Sequence, residues 1–131
     1  MTNHGSEQTT KGIQISVEPE FVPQKSNPMD NEWLFVYHVI IQNHGEETVQ
    51  LLTRHWIITD GDGHEEHIKG EGVVGETPVL KTGQQFGYTS FCPLQTPMGS
   101  MHGSYHFRSE TGEEFDAAIA PFLLVEPGTL N

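Results

Sequence analysis

"WLFVYHVIIQN", residues 33–43, and "VQLLTRHWIITD", residues 49–60, decide the fold class of this 131-residue chain. The first run is apolar on both of its alternating faces, which is typical of a central strand covered on two sides. The second run is rich in β-branched and aromatic residues, which favour extended backbone. The sequence DGDG at residues 60–63 then supplies residues that tolerate positive φ, so a hairpin is predicted there.

Alternation of apolar and polar residues continues on both sides of this pair, over residues 13–17, 86–91, 100–108 and 114–125. Turn signals recur about every ten residues, and apolar residues never keep helical spacing for more than one turn. The sequence therefore predicts an all-β, antiparallel sandwich of the immunoglobulin or fibronectin type III-like class, with less than about one residue in ten in helix.

One domain is expected over residues 12–126, because a chain of this length is long enough for one core but too short for two. Residues 1–11 are polar and are predicted to form a flexible, solvated tail, and residues 127–131 a short C-terminal tail. Pro19 and Pro23 follow the strand at residues 13–17, so that strand is expected at a sheet edge or with a bulge.

Several aromatic residues are predicted to form the core: Trp33 or Phe35, Trp56, Tyr105, Phe107 and Phe122. The run Gly103-Ser104-Tyr105 resembles a tyrosine corner, whose hydroxyl bonds to the backbone upstream. Cys92 is the single cysteine, so no intrachain disulfide is possible, and a reduced, at least partly buried thiol is expected.

The charge and composition of the chain argue against several classes of function. Six basic residues stand against 18 acidic ones, giving a net charge of −12, so a nucleic-acid backbone would be repelled and no nucleic-acid partner is expected. No apolar run approaches the roughly 20 residues that span a bilayer, so no membrane partner is expected. No nucleophile–base order such as Ser-His-Asp is legible. We therefore expect a cytoplasmic, non-enzymatic protein without a cofactor.

Residues 69–78, KGEGVVGETP, place Gly70, Gly72 and Gly75 in the spacing G-x-G-x-x-G. A dinucleotide fold needs a helix after this motif, but two valines and a proline follow, so the Rossmann interpretation fails. Two alternatives remain open. The loop is either a weak phosphate or pyrophosphate nest between Lys69 and Lys81, or a bulged, close-packed crossing between sheets.

Arg54 and His55 are the next candidate ligand-binding residues. Alternation predicts that Arg54 shares a face with Leu52, Trp56 and Ile58. An unpaired buried charge is costly, so Arg54 is either paired with a carboxylate or lies at the rim with His55 to receive an anionic ligand.

The stretch DGDGHEEH, residues 60–67, has acidic residues in the alternate positions of a calcium loop. Glu65 occupies the place where that loop requires glycine, and strands are expected on either side of it. We expect a solvated hairpin tip at which Asp60 and Asp62 collect divalent cations weakly. As a zinc site, His64 and His67 are not expected to cooperate, because they are three residues apart and should lie on opposite faces of the strand.

Several stretches together, "NHGEETVQLLTRHWIITDGDG", "GEGVVGETPVL", "TGQQFGYTS", "LQTPMGSMHGSYHF" and "FDAAIAPFLL", closely resemble the ApaG proteins. The resemblance covers about residues 12–125 and departs locally at Phe91-Cys92-Pro93. It implies a fibronectin type III-like sandwich of seven or more strands, and no catalytic residues. The glycine motif, carried onto Gly70, Gly72 and Gly75, is implied as a pyrophosphate site.

The resemblance also implies two functional expectations. The same domain occurs in eukaryotic F-box and DNA-polymerase-interacting proteins, which implies a binding module for a protein partner or a small anionic ligand. The bacterial proteins are named for a gene beside a diadenosine-tetraphosphate hydrolase and are associated with cobalt and magnesium homeostasis. The alternative is therefore a weak pyrophosphate- or polyphosphate-binding protein linked to those processes.

Overall fold

The computed structural model describes residues 4–128. Within that range the chain forms nine strands and two short 3-10 helices at Pro23–Lys25 and Pro28–Asp30. The strands are β1 (Ser6–Thr10), β2 (Ile13–Phe21), β3 (Trp33–Asn43), β4 (Val49–Asp60), β5 (Glu65–Glu71), β6 (Val79–Leu80), β7 (Gln85–Leu94), β8 (Met98–Ser109) and β9 (Glu114–Val125).

The strands form two antiparallel sheets. One has the order β1-β2-β3-β7, and the other has the order β5-β4-β8-β9, with β6 paired to β4 beside β5. The predicted all-β sandwich with little helix is therefore confirmed. Neither helix in the described range is long and apolar enough to cross a membrane.

The core lies between the inner faces of the sheets, and every aromatic residue predicted for it is buried. Trp56 is 3 % exposed, and its ring packs edge-on against Tyr37, Tyr105 and Phe122, with centroids 5.3–6.1 Å apart. Burial of a large apolar side chain contributes about 1.5–3 kcal/mol, and such edge-to-face pairs add to it. These aromatic contacts join the two sheets.

The prediction of a tyrosine corner at Tyr105 is wrong. The Tyr105 hydroxyl is hydrogen-bonded to the hydroxyl of Tyr88 on β7, in the opposite sheet, and not to the backbone. Burial raises the pKa of both phenols above the usual value, so both remain protonated and one donates to the other. The sequence motif around Tyr105 carries no information about which residue faces it across the core.

The predicted flexible tail is wrong for residues 6–10, while residues 1–3 lie outside the described range. β1 pairs with β2 from Ser6↔Val17 to Thr10↔Ile13, and the Ser6 hydroxyl donates to the Ala120 carbonyl oxygen at 2.7 Å. β2 is consequently not an edge strand over this stretch. Pro19 lies beyond the last residue that pairs with β1, so its missing N–H does not interrupt that ladder.

Cys92 on β7 is 2 % exposed, which confirms the expected burial. Desolvation, followed by the charge of Glu66, raises the pKa of this thiol to about 12. A thiol that stays protonated at neutral pH is a poor nucleophile. Cys92 therefore behaves as a small core residue.

Candidate functional site

A bulge in β4 decides which side chains reach the core. The pairing register with β8 shifts between Leu51 and Thr53, so the inward-facing series runs from Leu51 to Arg54 and Trp56. The prediction that Leu52 shares the face of Arg54 is therefore wrong, because strict alternation does not hold across a bulge. The shift leaves His55 on the outer face of the sheet.

Arg54 is held by the glycine motif. Its Nη1 donates to the carbonyl oxygens of Glu71 and Gly72, both at 2.9 Å. Its guanidinium lies against Gly70, where a Cβ would be only 2.8 Å from the nearest guanidinium atom. The partners of Arg54 are thus backbone carbonyls and not the expected carboxylate, and Gly70 provides the space for them.

The glycine motif does not cross between the sheets. β5 and β6 both pair with β4, so residues 72–77 make an excursion along one edge of the same sheet. Gly72 has a φ of +60°, and a tight turn follows in which Val74 and Gly75 have φ values of +44° and +81°. The crossing to the other sheet comes only after β6. The prediction of a crossing at the glycines is wrong, whereas the positive φ values of Gly72 and Gly75 and the close contacts of Gly70 and Gly72 agree with a packing role.

Three of the five backbone N–H groups in residues 72–76 already donate within the protein. Gly72 bonds to Leu52 at 2.9 Å, Val73 to Glu76 at 2.8 Å, and Glu76 back to Val73 at 2.9 Å. Val73 is also 1 % exposed, so the turn is anchored in the core. An anion nest needs successive free N–H groups, so this arrangement offers a phosphate few donors.

A groove on the outer face of the larger sheet is lined by four of the predicted ligand-binding residues, Arg54, His55, Lys69 and Gly70, although the Arg54 side chain belongs to the inward-facing series of β4. We call it the outer groove; its volume is about 510 Å³, and Thr53, Glu71, Ser104, His106 and Asp116 complete its lining. Gly72, Gly75 and Lys81 lie outside this lining. Lys81 precedes the turn into β7, where its backbone N–H donates to Gln84 Oε1 at 2.8 Å.

His55 also contacts a histidine that the sequence did not single out as a ligand. Its Nε2 lies 2.9 Å from Nδ1 of His67, whose Nε2 lies 2.9 Å from Glu65 Oε1. Partial desolvation lowers the pKa of His55, and the charges of Lys69, His67 and His102 add to the effect. The sequence does contain a signal for the contact between His55 and His67. The hairpin predicted at residues 60–63 folds the chain back and brings β4 and β5 together.

His106 lies between two carboxylates on β9 and was likewise not singled out. Its Nδ1 is 2.8 Å from Asp116 Oδ1 and its Nε2 is 2.7 Å from Glu114 Oε1. The hydrogen bond to Glu114, followed by that to Asp116, raises the pKa of His106 above its usual value. Both imidazole nitrogens are therefore occupied, which leaves the ring poorly placed to act as a base.

The hairpin tip places ligand atoms of Asp60, Asp62 and His64 within 4.8 Å of one another. Asp60 Oδ1 accepts the backbone N–H groups of Asp62 and His64, both at 2.9 Å. Desolvation raises the pKa of Asp60, but these bonds outweigh it and leave the pKa below the usual value. The carboxylate is therefore already used to shape the turn.

A groove of about 870 Å³ lies at the same end of the sandwich, and we call it the acidic groove. Six carboxylates line it: Asp30, Glu32, Asp60, Asp62, Glu65 and Glu66. Trp33, Ile58 and Leu94 contribute apolar surface between them. The indole Nε1 of Trp33 is buried without a hydrogen-bond partner among the described residues.

The chain is similar to known proteins over most of its length. Residues 23–109 match the ApaG domain. Protein ApaG of Bradyrhizobium sp. (strain ORS 278) is 51 % identical over 118 residues, which is 90 % of this chain and 91 % of that one.

Solved structures agree with this similarity. A crystal structure of an ApaA protein from Bordetella pertussis superposes with a TM-score of 0.87 at 46 % identity, covering 89 % of this chain and 95 % of that one. The C-terminal domain of wzt shares only the fold, with a TM-score of 0.55 at 11 % identity; 95 % of this chain and 78 % of that one are covered. The family match, the identity to a curated relative and the superposition point the same way: the chain belongs to the ApaG domain family.

Proposed function

We propose that this protein is a non-enzymatic binding module whose acidic groove receives a basic, partly apolar segment of a protein partner. The observation that carries the proposal is the arrangement of six carboxylates around Trp33, Ile58 and Leu94 in one open groove. Carboxylates at the rim attract lysine and arginine, and the apolar surface between them gives an aliphatic side chain a place to pack.

The charge of the whole molecule supports the same choice of partner. With a net charge of −12, the protein attracts basic segments over distances comparable to the Debye length, about 8 Å at physiological salt. Among the described residues, Lys25 is the one lysine or arginine in the groove lining, and the Nδ1 of His64 lies 3.4 Å from Asp60 Oδ2. Binding should therefore be fast and should weaken as salt is added.

The non-enzymatic part of the proposal rests on the state of the reactive side chains. Cys92 is buried with its pKa raised to about 12, so it offers no thiolate at neutral pH. His106 has both nitrogens bonded to carboxylates. These side chains are suited to structural roles.

Trp33 provides the readout for a test, since it lines the groove while Trp56 lies deep in the core. Its fluorescence is followed while the protein is titrated with a 12-residue peptide of alternating lysine and leucine pairs, and with the same peptide carrying glutamate for lysine. We expect saturable binding of the lysine peptide only, weakening at least tenfold between 50 and 500 mM NaCl.

A charge-matched pair of variants locates the binding. Asp62→Asn with Glu66→Gln removes two groove charges, whereas Glu18→Gln with Glu46→Gln removes two charges outside the groove lining. The groove variant should bind the lysine peptide at least tenfold more weakly and the control variant within twofold of the unmodified protein. Equal losses would mean general attraction to an acidic protein, and no saturable binding would also overturn the proposal.

A second candidate function is weak binding of an anionic ligand in the outer groove. The specific observation is that Lys69 and His55 are directly paired across β4 and β5, beside Gly70 and Arg54. Glu71 and Asp116 line the same groove and oppose an anion. Two or three bonds of about 1.5–3 kcal/mol each, opposed in this way, support affinities only on the order of millimolar to high micromolar.

The second candidate is tested with pyrophosphate and diadenosine tetraphosphate, each with and without Mg²⁺, by isothermal titration calorimetry. We expect weak, salt-sensitive binding that strengthens when Mg²⁺ masks the charge of the ligand, and a loss of at least fivefold in Lys69→Ala. Lys81→Ala is the matched control, because Lys81 lies outside the groove lining. If the two variants weaken binding equally, the outer groove is not the site.

A further inference from the structure

Two imidazole rings face each other on the outer surface of the larger sheet. His55 on β4 and His67 on β5 are diagonal neighbours, since His55 pairs with Lys69 and His67 with Ile57. Their ring centroids are 5.1 Å apart, and the His55 Nε2 to His67 Nδ1 distance is 2.9 Å. His67 has 45 % of its side chain exposed, so this pair is reachable from solvent.

The contact between Nε2 of His67 and Glu65 determines the direction of these hydrogen bonds. A carboxylate can only accept, so the 2.9 Å contact to Glu65 places the proton of a neutral His67 on Nε2. Nδ1 of His67 then carries a lone pair, and Nε2 of His55 donates to it. A single proton thus lies between the two nitrogens. When it is carried on Nδ1 of His55 instead of Nε2, both rings stay neutral and both facing nitrogens have lone pairs for a metal.

This arrangement has the chemistry of a metal site. A histidine that binds a metal usually donates its other N–H to a carboxylate, as His67 does to Glu65. Imidazole nitrogens favour borderline transition metals such as Zn²⁺ over Mg²⁺ or Ca²⁺. Bond lengths of about 2.0–2.1 Å in tetrahedral geometry put two ligand nitrogens roughly 3.3 Å apart. The two nitrogens therefore need to move apart by about 0.4 Å, and both rings need to turn until their lone pairs converge on one ion.

His102 lies on the same face of the sheet, and its side chain would have to turn toward the pair to add a third nitrogen, since the three rings do not yet bring their nitrogens within 4.8 Å of one another. Ile57 pairs with His67 on one side and with His102 on β8 on the other, so both histidines project from the same face. Strands are about 4.8 Å apart, which puts the Cα atoms of His67 and His102 roughly 10 Å from each other. Two histidine side chains can bridge that distance to one ion. The charge of Lys69, which neighbours His55, opposes cation binding, whereas the net charge of −12 favours it.

We propose that His55 Nε2 and His67 Nδ1 bind a transition-metal cation of the Zn²⁺ type, with His102 as a third ligand and Glu65 as the residue that positions His67. The site is separate from Asp60, Asp62 and His64 at the hairpin tip, where oxygen ligands predominate. It shares Glu65 with the lining of the acidic groove, whereas His55, His67 and His102 lie outside that lining.

The test is a Zn²⁺ titration of the full chain at pH 7.5, followed by calorimetry and by NMR of the imidazole nitrogens. We expect one equivalent to bind, with shifts at the nitrogens of His55 and His67, and no comparable shift with Mg²⁺. His55→Ala and His67→Ala should each weaken Zn²⁺ binding at least tenfold. Glu65→Gln should weaken it about 10–100-fold, since it keeps the side-chain shape but loses the charge that orients His67.

Two variants separate this site from others. Asp62→Asn alters the hairpin tip, and His44→Ala removes an exposed histidine whose Nε2 contacts Gln14 on the other sheet. Both should bind Zn²⁺ within twofold of the unmodified protein, and His102→Ala should bind roughly tenfold more weakly. Binding that is lost in Asp62→Asn but kept in His67→Ala would overturn the proposal. So would the absence of binding at 100 µM Zn²⁺ in a protein whose thermal unfolding is unchanged.

Discussion

Replacing Gly72 with alanine tests whether the glycine motif serves packing before it serves ligands. Gly72 has a φ of +60°, a conformation that costs a residue with a Cβ roughly 1–2 kcal/mol. A Cβ at this position would overlap the carbonyl oxygen of Glu76 and lie 2.9 Å from its carbonyl carbon. Relieving that overlap requires a backbone shift, which costs about 1–3 kcal/mol in a well-packed site.

The turn at Gly72 also contacts residues that are fixed in place, so the backbone cannot easily shift to relieve the strain that an added Cβ would cause. The Gly72 carbonyl accepts a hydrogen bond from Arg54, and the adjacent Val73 is 1 % exposed. We therefore expect Gly72→Ala to lower the free energy of unfolding by about 2–5 kcal/mol, from the sum of the conformational and steric costs. At this chain length that corresponds to a loss of roughly 8–20 °C in the midpoint of thermal unfolding.

Gly75 supplies a matched control in the same turn. Its φ is +81°, but a Cβ there would meet nothing within 4 Å. Gly75→Ala should therefore cost only the conformational part, about 1–2 kcal/mol. Urea unfolding followed by tryptophan fluorescence measures both. If the two variants agree within about 0.5 kcal/mol, or if Gly72→Ala abolishes submicromolar pyrophosphate binding without loss of stability, the packing argument is refuted.

Three further predictions concern other parts of the molecule. Val74→Asn should raise the free energy of unfolding by about 1 kcal/mol, because Val74 has a φ of +44° and asparagine before Gly75 suits a turn with two positive φ values; lower stability in urea unfolding would contradict this. Cys92 should react with a thiol reagent at least a hundredfold more slowly in the native protein than in 6 M guanidinium, since it is 2 % exposed with a pKa raised to about 12; equal rates would show that β7 opens freely. His106→Gln should lose a small stabilisation, at most about 1 kcal/mol for so exposed a pair. Since the folded pKa of His106 is raised, that stabilisation is fully present below pH 6.5 and disappears as the pH rises through the folded pKa, so a difference that grew with pH would contradict the ion pairs to Glu114 and Asp116.

The sequence by itself determined the class of the fold and the composition of its core. Strands β3, β4 and β7–β9 follow from alternation and β propensity, which are local properties of each segment. The burial of Trp56, Tyr105 and Phe107 follows from the same alternation, because the side of a strand that carries large apolar residues must face the other sheet. A local property of the sequence also excludes a dinucleotide-binding fold, because the residues after the glycines do not begin a helix.

Only the tertiary structure decided the features that depend on contacts between distant segments. The polar stretch at Ser6–Thr10 forms a strand because its backbone pairs with β2. Its own residues do not favour a strand. Because of the bulge after Leu51, Leu52 does not share the face of Arg54, and no residue in β4 predicts a bulge from its type. The contacts of Tyr105 with Tyr88 and of Arg54 with the glycine turn form across strands or sheets. A one-dimensional pattern fixes which way a side chain points, but its partner is set by register and by the packing of one sheet on the other.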